Sequence, residues 1–205
     1  MSETREKILA EALTLFSQRG YSAVSIRDIC KTVAIKESSV YYHFKNKQAI
    51  FDALMERFQQ KAEGMMKLLE NSLVDGAGEF GNGSHMTVCS HFFEGYLMDD
   101  FCNKVIRLMS IEQFHQEKVR TLYRTWMIDR PILFQTGVFQ SLMELRIVQG
   151  RNSEYLAVRY YAPVFFLGQK WLFTGPLTEE HKNEFRKAAY EHVRLFFAEI
   201  GGMND

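Results

Sequence analysis

Lys36-Glu-Ser-Ser-Val-Tyr-Tyr-His-Phe-Lys-Asn-Lys47 gathers cations, small hydroxyls and aromatic rings into one short segment. With no His and carboxylate pairing that stands out to activate a nucleophile, the set suits recognition rather than bond-making. Lysine, histidine and tyrosine hold phosphate oxygens, tyrosine rings meet thymine methyls, and serines let a backbone come close to base edges. At helical spacing Val40 and Phe44 turn inward together at i,i+4, which leaves Lys36, Glu37, Ser38, Ser39, Tyr42 and His43 facing outward, with Tyr41 partly in the core. Glu37 is the one acid in this set. It can accept from a cytosine amino group, or it can complement the helix dipole and repel phosphate.

Other residues with reactive side chains do not converge. Cys89 and His91 point about 200° apart on a helix, so they cannot chelate together, and His85 with Cys89 makes only two ligands of the four that a structural zinc needs. Cys30, Cys89 and Cys102 form an odd set without paired spacing, and neither Cys89 nor Cys102 has a neighbour that would stabilise a thiolate. The glycines at 76, 78, 81 and 83 lack the following Gly-Lys-Ser/Thr of a phosphate loop, and no nucleophile elbow occurs. The sequence therefore predicts no catalytic residue, no metal and no cofactor.

The elements around the segment are those needed to present it. Ile8, Leu9, Ala12, Leu13 and Phe16 recur at helical spacing up to Gly20, placed for a left-handed cap, and Tyr21 can fold back onto Phe16. Ser25 and Asp28 make a capping box, with Val24 and Ile29 as its hydrophobic staple. A second helix to about Thr32, a tight turn at Val33-Ala34-Ile35, the recognition segment, and Asn46 as the cap of a fourth helix complete a helix-turn-helix. In that motif one helix crosses the DNA backbone while the next enters the major groove. Residues 1–47 hold eight Lys/Arg against five Asp/Glu, a local excess in a chain whose 25 basic and 25 acidic residues otherwise cancel.

Thr4-Arg-Glu-Lys-Ile-Leu through Leu15-Phe16, Arg19-Gly-Tyr21, Ser25-Ile-Arg-Asp-Ile29 and Ser39-Val-Tyr-Tyr-His-Phe-Lys-Asn-Lys47 together resemble the TetR family of transcriptional regulators, closely over residues 4–55 and in outline beyond. The resemblance implies a homodimer whose paired heads enter successive major grooves, with Ser38 and Tyr41 near bases and Ser25, Tyr42, His43 and Lys47 on phosphates. Ala34 departs from the glycine frequent there, and Glu37 from lysine or glycine.

The rest of the chain reads as all-α. Prolines number three in 205 residues, while aromatics and methionines are plentiful. No apolar run approaches the ~20 residues that span a bilayer, and the N-terminus lacks a signal-peptide pattern, so a cytoplasmic home is expected. We expect a helix-turn-helix domain at 1–47 and a ligand-binding and dimerisation domain at 48–205. Its connector helix covers 48–70, about 36 Å long, and a glycine-rich flexible linker covers 71–84. Pro131 should kink or restart a long helix near Asp129. The body between 86 and 149 is expected to enclose a small apolar or aromatic effector, lined by Phe92, Tyr96, Met109, Trp126, Phe134 and Phe165, with Glu94, Arg107 and Glu112 as candidate polar anchors. The last two helices are apolar on more than one side, which predicts a four-helix dimer interface of Tyr160, Val164, Leu167, Trp171, Phe185, Ala189, His192 and Phe196. Function is expected to be that of an effector-released repressor on a palindromic operator. A DNA-organising protein with an unliganded body, or an enzyme, are the alternatives.

Overall fold

The computed structural model describes residues 2–76, 84–148 and 152–201, all helices and short connections. Helix α1 (Glu3–Arg19) starts at Ser2, whose hydroxyl accepts from the Arg5 N–H, and buries the expected face of Ile8, Leu9, Ala12, Leu13 and Phe16. It ends at Gly20. The φ there is +79° but ψ is 159°, so the residue is not the left-handed helical cap expected; it occupies an extended positive-φ region open essentially to glycine alone. This turns the chain sharply, and Tyr21 lands on Phe16 with ring centroids 5.4 Å apart.

Helix α2 (Ile26–Val33) begins with both halves of the capping box: the Asp28 N–H donates to the Ser25 hydroxyl and the Ser25 N–H to the Asp28 carboxylate. The Ser25 hydroxyl also donates to the Asp28 carboxylate at 2.6 Å, and this bond together with the Ser25 N–H holds the Asp28 carboxyl below its ordinary range. The turn into α3 (Glu37–His43) needs a left-handed residue, and Ala34 supplies it at φ 60°, ψ 45°. Alanine bears a Cβ penalty there that glycine does not. Ala34→Gly should therefore raise stability by about 0.5–1 kcal/mol, read as a rise of about 2 °C in the thermal midpoint.

Helix α4 (Lys47–Gly76) follows Asn46, which accepts from the Ala49 N–H as the expected cap. At 30 residues, about 45 Å, it outruns the expected connector, and residues 71–76 of the expected linker are helical. No proline or glycine stands between Leu69 and Gly76, so nothing stops the helix where periodicity weakens. Helix resumes at Ser84, and residues 77–83 of the expected linker lie outside the described residues. Ile50, Phe51 and Leu54 of α4 are buried with the α1–α3 residues, and the Phe51 ring meets Tyr21 at 5.0 Å. A boundary at 47 thus passes through a packed unit, because three short helices cannot close their own core without the first turns of the fourth.

The body continues with α5 (Ser84–Phe92), α6 (Asp100–Glu112), α7 (Glu117–Arg124), α8 (Arg130–Glu144), α9 (Ser153–Gly168) and α10 (Glu179–Gly201). Among the described residues, α5, α7 and α9 each pass into a π turn, at Phe93–Leu97, Thr125–Asp129 and Gln169–Phe173. The second has a direct cause. Pro131 has no N–H for the Met127 carbonyl four residues back, so the ladder widens and the helix restarts at Arg130, as the proline predicts. The stranded Met127 carbonyl is taken by the Tyr161 hydroxyl at 2.8 Å. Buried Asn103 does the same at the other two, donating to the carbonyls of Leu97 at 3.3 Å and Leu172 at 3.0 Å. One core runs from α1 to α10.

Candidate functional site

The exposed face of α3 is the one the sequence predicts. Tyr42 is 85% exposed, Tyr41 about half, and Lys36, Ser38 and Lys45 open to solvent, while Val40 and Phe44 are buried beneath. Ser39, His43 and Glu37 are half-buried, and the His43 ring lies edge-on to Tyr42 at 5.0 Å. Ser25 is exposed at the start of α2. The head therefore exposes a hydroxyl-bearing helix start on α2 and, on α3, aromatic and serine side chains with flanking lysines.

Two members of the set have partners that the sequence did not reveal. The Glu37 carboxylate lies 3.0 Å from Nε of Arg27, an exposed cation on α2. Neither the cytosine nor the dipole reading foresaw it; the pair spans two helices, and a separation of ten residues carries no local pattern. Pairing neutralises much of the repulsion that a lone carboxylate would exert on phosphates. Lys47 turns inward: its ammonium donates to the carbonyls of Tyr21 at 2.8 Å and Val24 at 2.7 Å, and lies 4.2 Å from the centroid of the Tyr21 ring. Burial lowers its pKa, opposed by the nearby Glu112 charge. Lys47 first holds the α1–α2 corner, with one proton left for a phosphate.

The body contains a small cavity among Met66 and Leu69 of α4, Val88, Cys89 and Phe92 of α5, Pro131, Phe134 and Gln135 of α8, and Tyr160, Tyr161 and Val164 of α9, together with Phe93. The free space is about 20 Å³, room for roughly one water. No charged side chain lines it. Of the six expected lining residues, Phe92 and Phe134 are there. Tyr96 stands one layer behind, its ring stacked on Phe92 at 5.5 Å. Met109 and Trp126 are buried core outside the cavity, and Phe165 packs beside Tyr161. Helical spacing finds a buried face but cannot tell close packing from the edge of a void. The proposed polar anchors are elsewhere too: Glu94 forms a two-pronged ion pair with Arg186 of α10 at 2.7 and 2.9 Å, and Glu112 faces the head.

The Tyr96 hydroxyl is buried without a partner, a cost of about 1–3 kcal/mol. Tyr96→Phe removes it and should leave the protein equally or more stable, with a thermal midpoint higher by about 2 °C. Burial pushes the Cys89 thiol, which contacts the Tyr160 hydroxyl at 3.0 Å, up to about 11, and Cys102 to about 12. At neutral pH both are thiols, poor nucleophiles. The His85 side chain, half of the weighed metal pair, lies outside the described residues; among those described, no three His, Cys, Asp or Glu side chains gather to hold a metal. No described helix is long and apolar enough to cross a membrane.

The expected dimer residues need correction. Tyr160, Val164, Phe185, Ala189 and Phe196 are buried within the single chain, and Leu167, Trp171 and His192 are half-buried. His192 bonds the Tyr160 carbonyl at 2.9 Å, and Phe139 of α8 meets Tyr160 and Phe196 at 5.9 and 5.6 Å. These side chains join α9 and α10 to α8. The faces left open are Tyr155, Val158 and Phe166 on α9 and Leu195 on α10, with Tyr155 62% and Phe166 64% exposed. The more continuous of two apolar stripes faced the chain's own core, and sequence spacing could not assign which stripe went where.

A three-helix head presenting one helix clear of the surface, carried by a helical body, defines a DNA-binding transcriptional regulator of the helix-turn-helix class. Residues 8–54 match the family described as bacterial regulatory proteins, tetR family. YttP of Bacillus subtilis, named as an HTH-type transcriptional regulator, is 24% identical over 96% of this chain and 93% of its own. IcaR of Staphylococcus aureus, the negative transcriptional regulator of the biofilm operon icaADBC, is 46% identical over 48 residues, 23% of this chain and 26% of that one. Among solved structures, SmeT, repressor of the Stenotrophomonas maltophilia multidrug efflux pump SmeDEF, shares the fold with a TM-score of 0.63 at 19% identity, covering 96% of this chain and 89% of that one. The head thus matches the DNA-binding domain of the TetR family, and the chain resembles an HTH-type transcriptional regulator over nearly its whole length.

Proposed function

We propose that this regulator is a cytoplasmic homodimeric repressor that holds a palindromic operator and leaves it when a small neutral, apolar or aromatic effector enters the body. The observation that carries the reading is that Met66 and Leu69 of α4 line the cavity, while Ile50, Phe51 and Leu54 of the same helix complete the core of the head. A cavity with room for one water must open to take a ring compound, and Met66 is the flexible wall. Opening it moves α4, and α4 moves the head. The uncharged lining favours a neutral occupant, since an ion would lose its hydration without compensation.

On the DNA side, Ser25, Lys36, Ser38, Ser39, Tyr41, Tyr42 and His43 are the contacts we assign, with Glu37 acting through Arg27 and Lys47 chiefly through the corner it holds. The open faces of α9 and α10 would pair with their symmetry mates to space two heads about one helical turn apart. IcaR is a negative regulator, SmeT is a repressor, and SmeT has been seen with triclosan; these support the repressor and effector readings here. Linkage requires the effector to weaken operator binding by the same factor as the operator weakens effector binding.

The test is a genomic pull-down of DNA fragments on the purified protein at near-physiological salt. A few strongly enriched inverted repeats are expected. Broad enrichment without a motif would refute a specific repressor and favour a DNA-organising role.

A further inference from the structure

Glu112, at the end of α6, is 2% exposed and faces the head. One carboxylate oxygen accepts the Tyr21 N–H at 2.9 Å, and the other accepts from the Gln116 side-chain amide at 3.2 Å. Tyr21 is the hub of the corner. Its carbonyl receives the Lys47 ammonium, its ring packs on Phe16 and Phe51, and its hydroxyl donates to Gln48 at 2.9 Å. Gly20 makes room for this contact: a Cβ there would stand 3.2 Å from the Glu112 oxygen and 3.3 Å from Ile111. The opposite end of α6 is tied as well, since Asp99 caps the helix through the Cys102 N–H at 2.9 Å and pairs with Lys61 of α4 at 2.7 Å. Helix α6 is thus a strut of 13 residues, fastened to the connector at one end and to the reading head at the other.

We propose that Glu112 is the positioning residue that fixes the heading of the α2–α3 unit against the body, and that it thereby sets the half-site spacing accepted by the dimer. A backbone N–H is a stiff reference for such a joint. It cannot swing on side-chain torsions, so a buried carboxylate gripping it defines a direction as well as a distance. Each added or removed base pair moves a half-site by about 3.4 Å and rotates it by about 34°. A head free to pivot would tolerate that change; a head clamped through Glu112 would not.

The inference rests on the dimer-on-palindrome reading, and its test separates the two. Operators built from the enriched half-sites, with the natural spacer and with spacers one base pair longer and shorter, are titrated with wild type, Glu112→Ala and Glu112→Gln. Thermal midpoint and dimer mass are measured alongside. Wild type should prefer the natural spacer by about tenfold or more. Glu112→Ala should reduce that preference to about twofold, mainly by gaining on the wrong spacers. Glu112→Gln, which keeps an acceptor for Tyr21, should retain most of it. If Glu112→Ala does not fold, Glu112→Asp, which withdraws the carboxylate by one methylene, takes its place with the same expectation. Glu112→Ala, or the Glu112→Asp that stands in for it, overturns the proposal if it weakens binding to all spacers in parallel or keeps the wild-type preference, and either result leaves the repressor reading standing. Wild type that recognises no inverted repeat overturns both.

Discussion

Tyr42→Ala should weaken operator binding about 100-fold while leaving the thermal midpoint and the dimer unchanged. Its side chain is 85% exposed and makes an edge contact with His43 alone among the rings, so folding gains little from it. A hydroxyl donated to a phosphate is worth about 1.5 kcal/mol, and the two copies in a dimer give about 3 kcal/mol, or roughly 100-fold. The companion variant Lys47→Ala should behave differently. It deletes the ammonium that ties the carbonyls of Tyr21 and Val24, so it should lose about 1–2 kcal/mol of stability as well as affinity. Melting curves and titrations at several salt concentrations separate the two effects. Equal affinity for wild type and Tyr42→Ala would refute the docking assigned to α3.

Gly20→Ala is expected to be the most damaging small substitution in the head, costing about 3 kcal/mol and lowering the thermal midpoint by about 6–12 °C. The backbone at φ +79°, ψ 159° rejects a Cβ, and the added methyl would press on Glu112 and Ile111. The change should also speed amide exchange at Tyr21, whose N–H would lose its acceptor. Gly64→Ala is the control: it lies within α4 with nothing within 4 Å of a Cβ, and there the better helix former should add up to about 1 kcal/mol. If both variants melt alike, the conformation assigned to Gly20 is wrong.

The head was legible because its signals are local. A capping box needs only Ser25 and Asp28 three residues apart, an inward face needs only Val40 and Phe44 at i,i+4, and Pro131 breaks its own ladder whatever surrounds it. The same reasoning failed in the body. Tyr160 and Phe196 satisfied a helical stripe, as an interface residue would, yet they pack on Phe139 inside the chain. Phe92 and Met109 are both apolar and at helical spacing, but only Phe92 borders the cavity. The length of α4 was also misjudged, since helix termination is weakly encoded when no proline or early glycine intervenes.

The sequence by itself determined an all-helical chain, a helix-turn-helix with a named outward face, and the proline-driven restart at residue 130. These follow from contacts between residues a turn or less apart. The tertiary structure alone decided which face of α9 and α10 is core, that Met66 and Leu69 bring the connector to the cavity wall, that Arg27 neutralises Glu37, and that Glu112 grips Tyr21 across 91 residues of chain. Each of those is a meeting of side chains from separate helices. Their partners are chosen by how the helices cross, which local spacing does not encode.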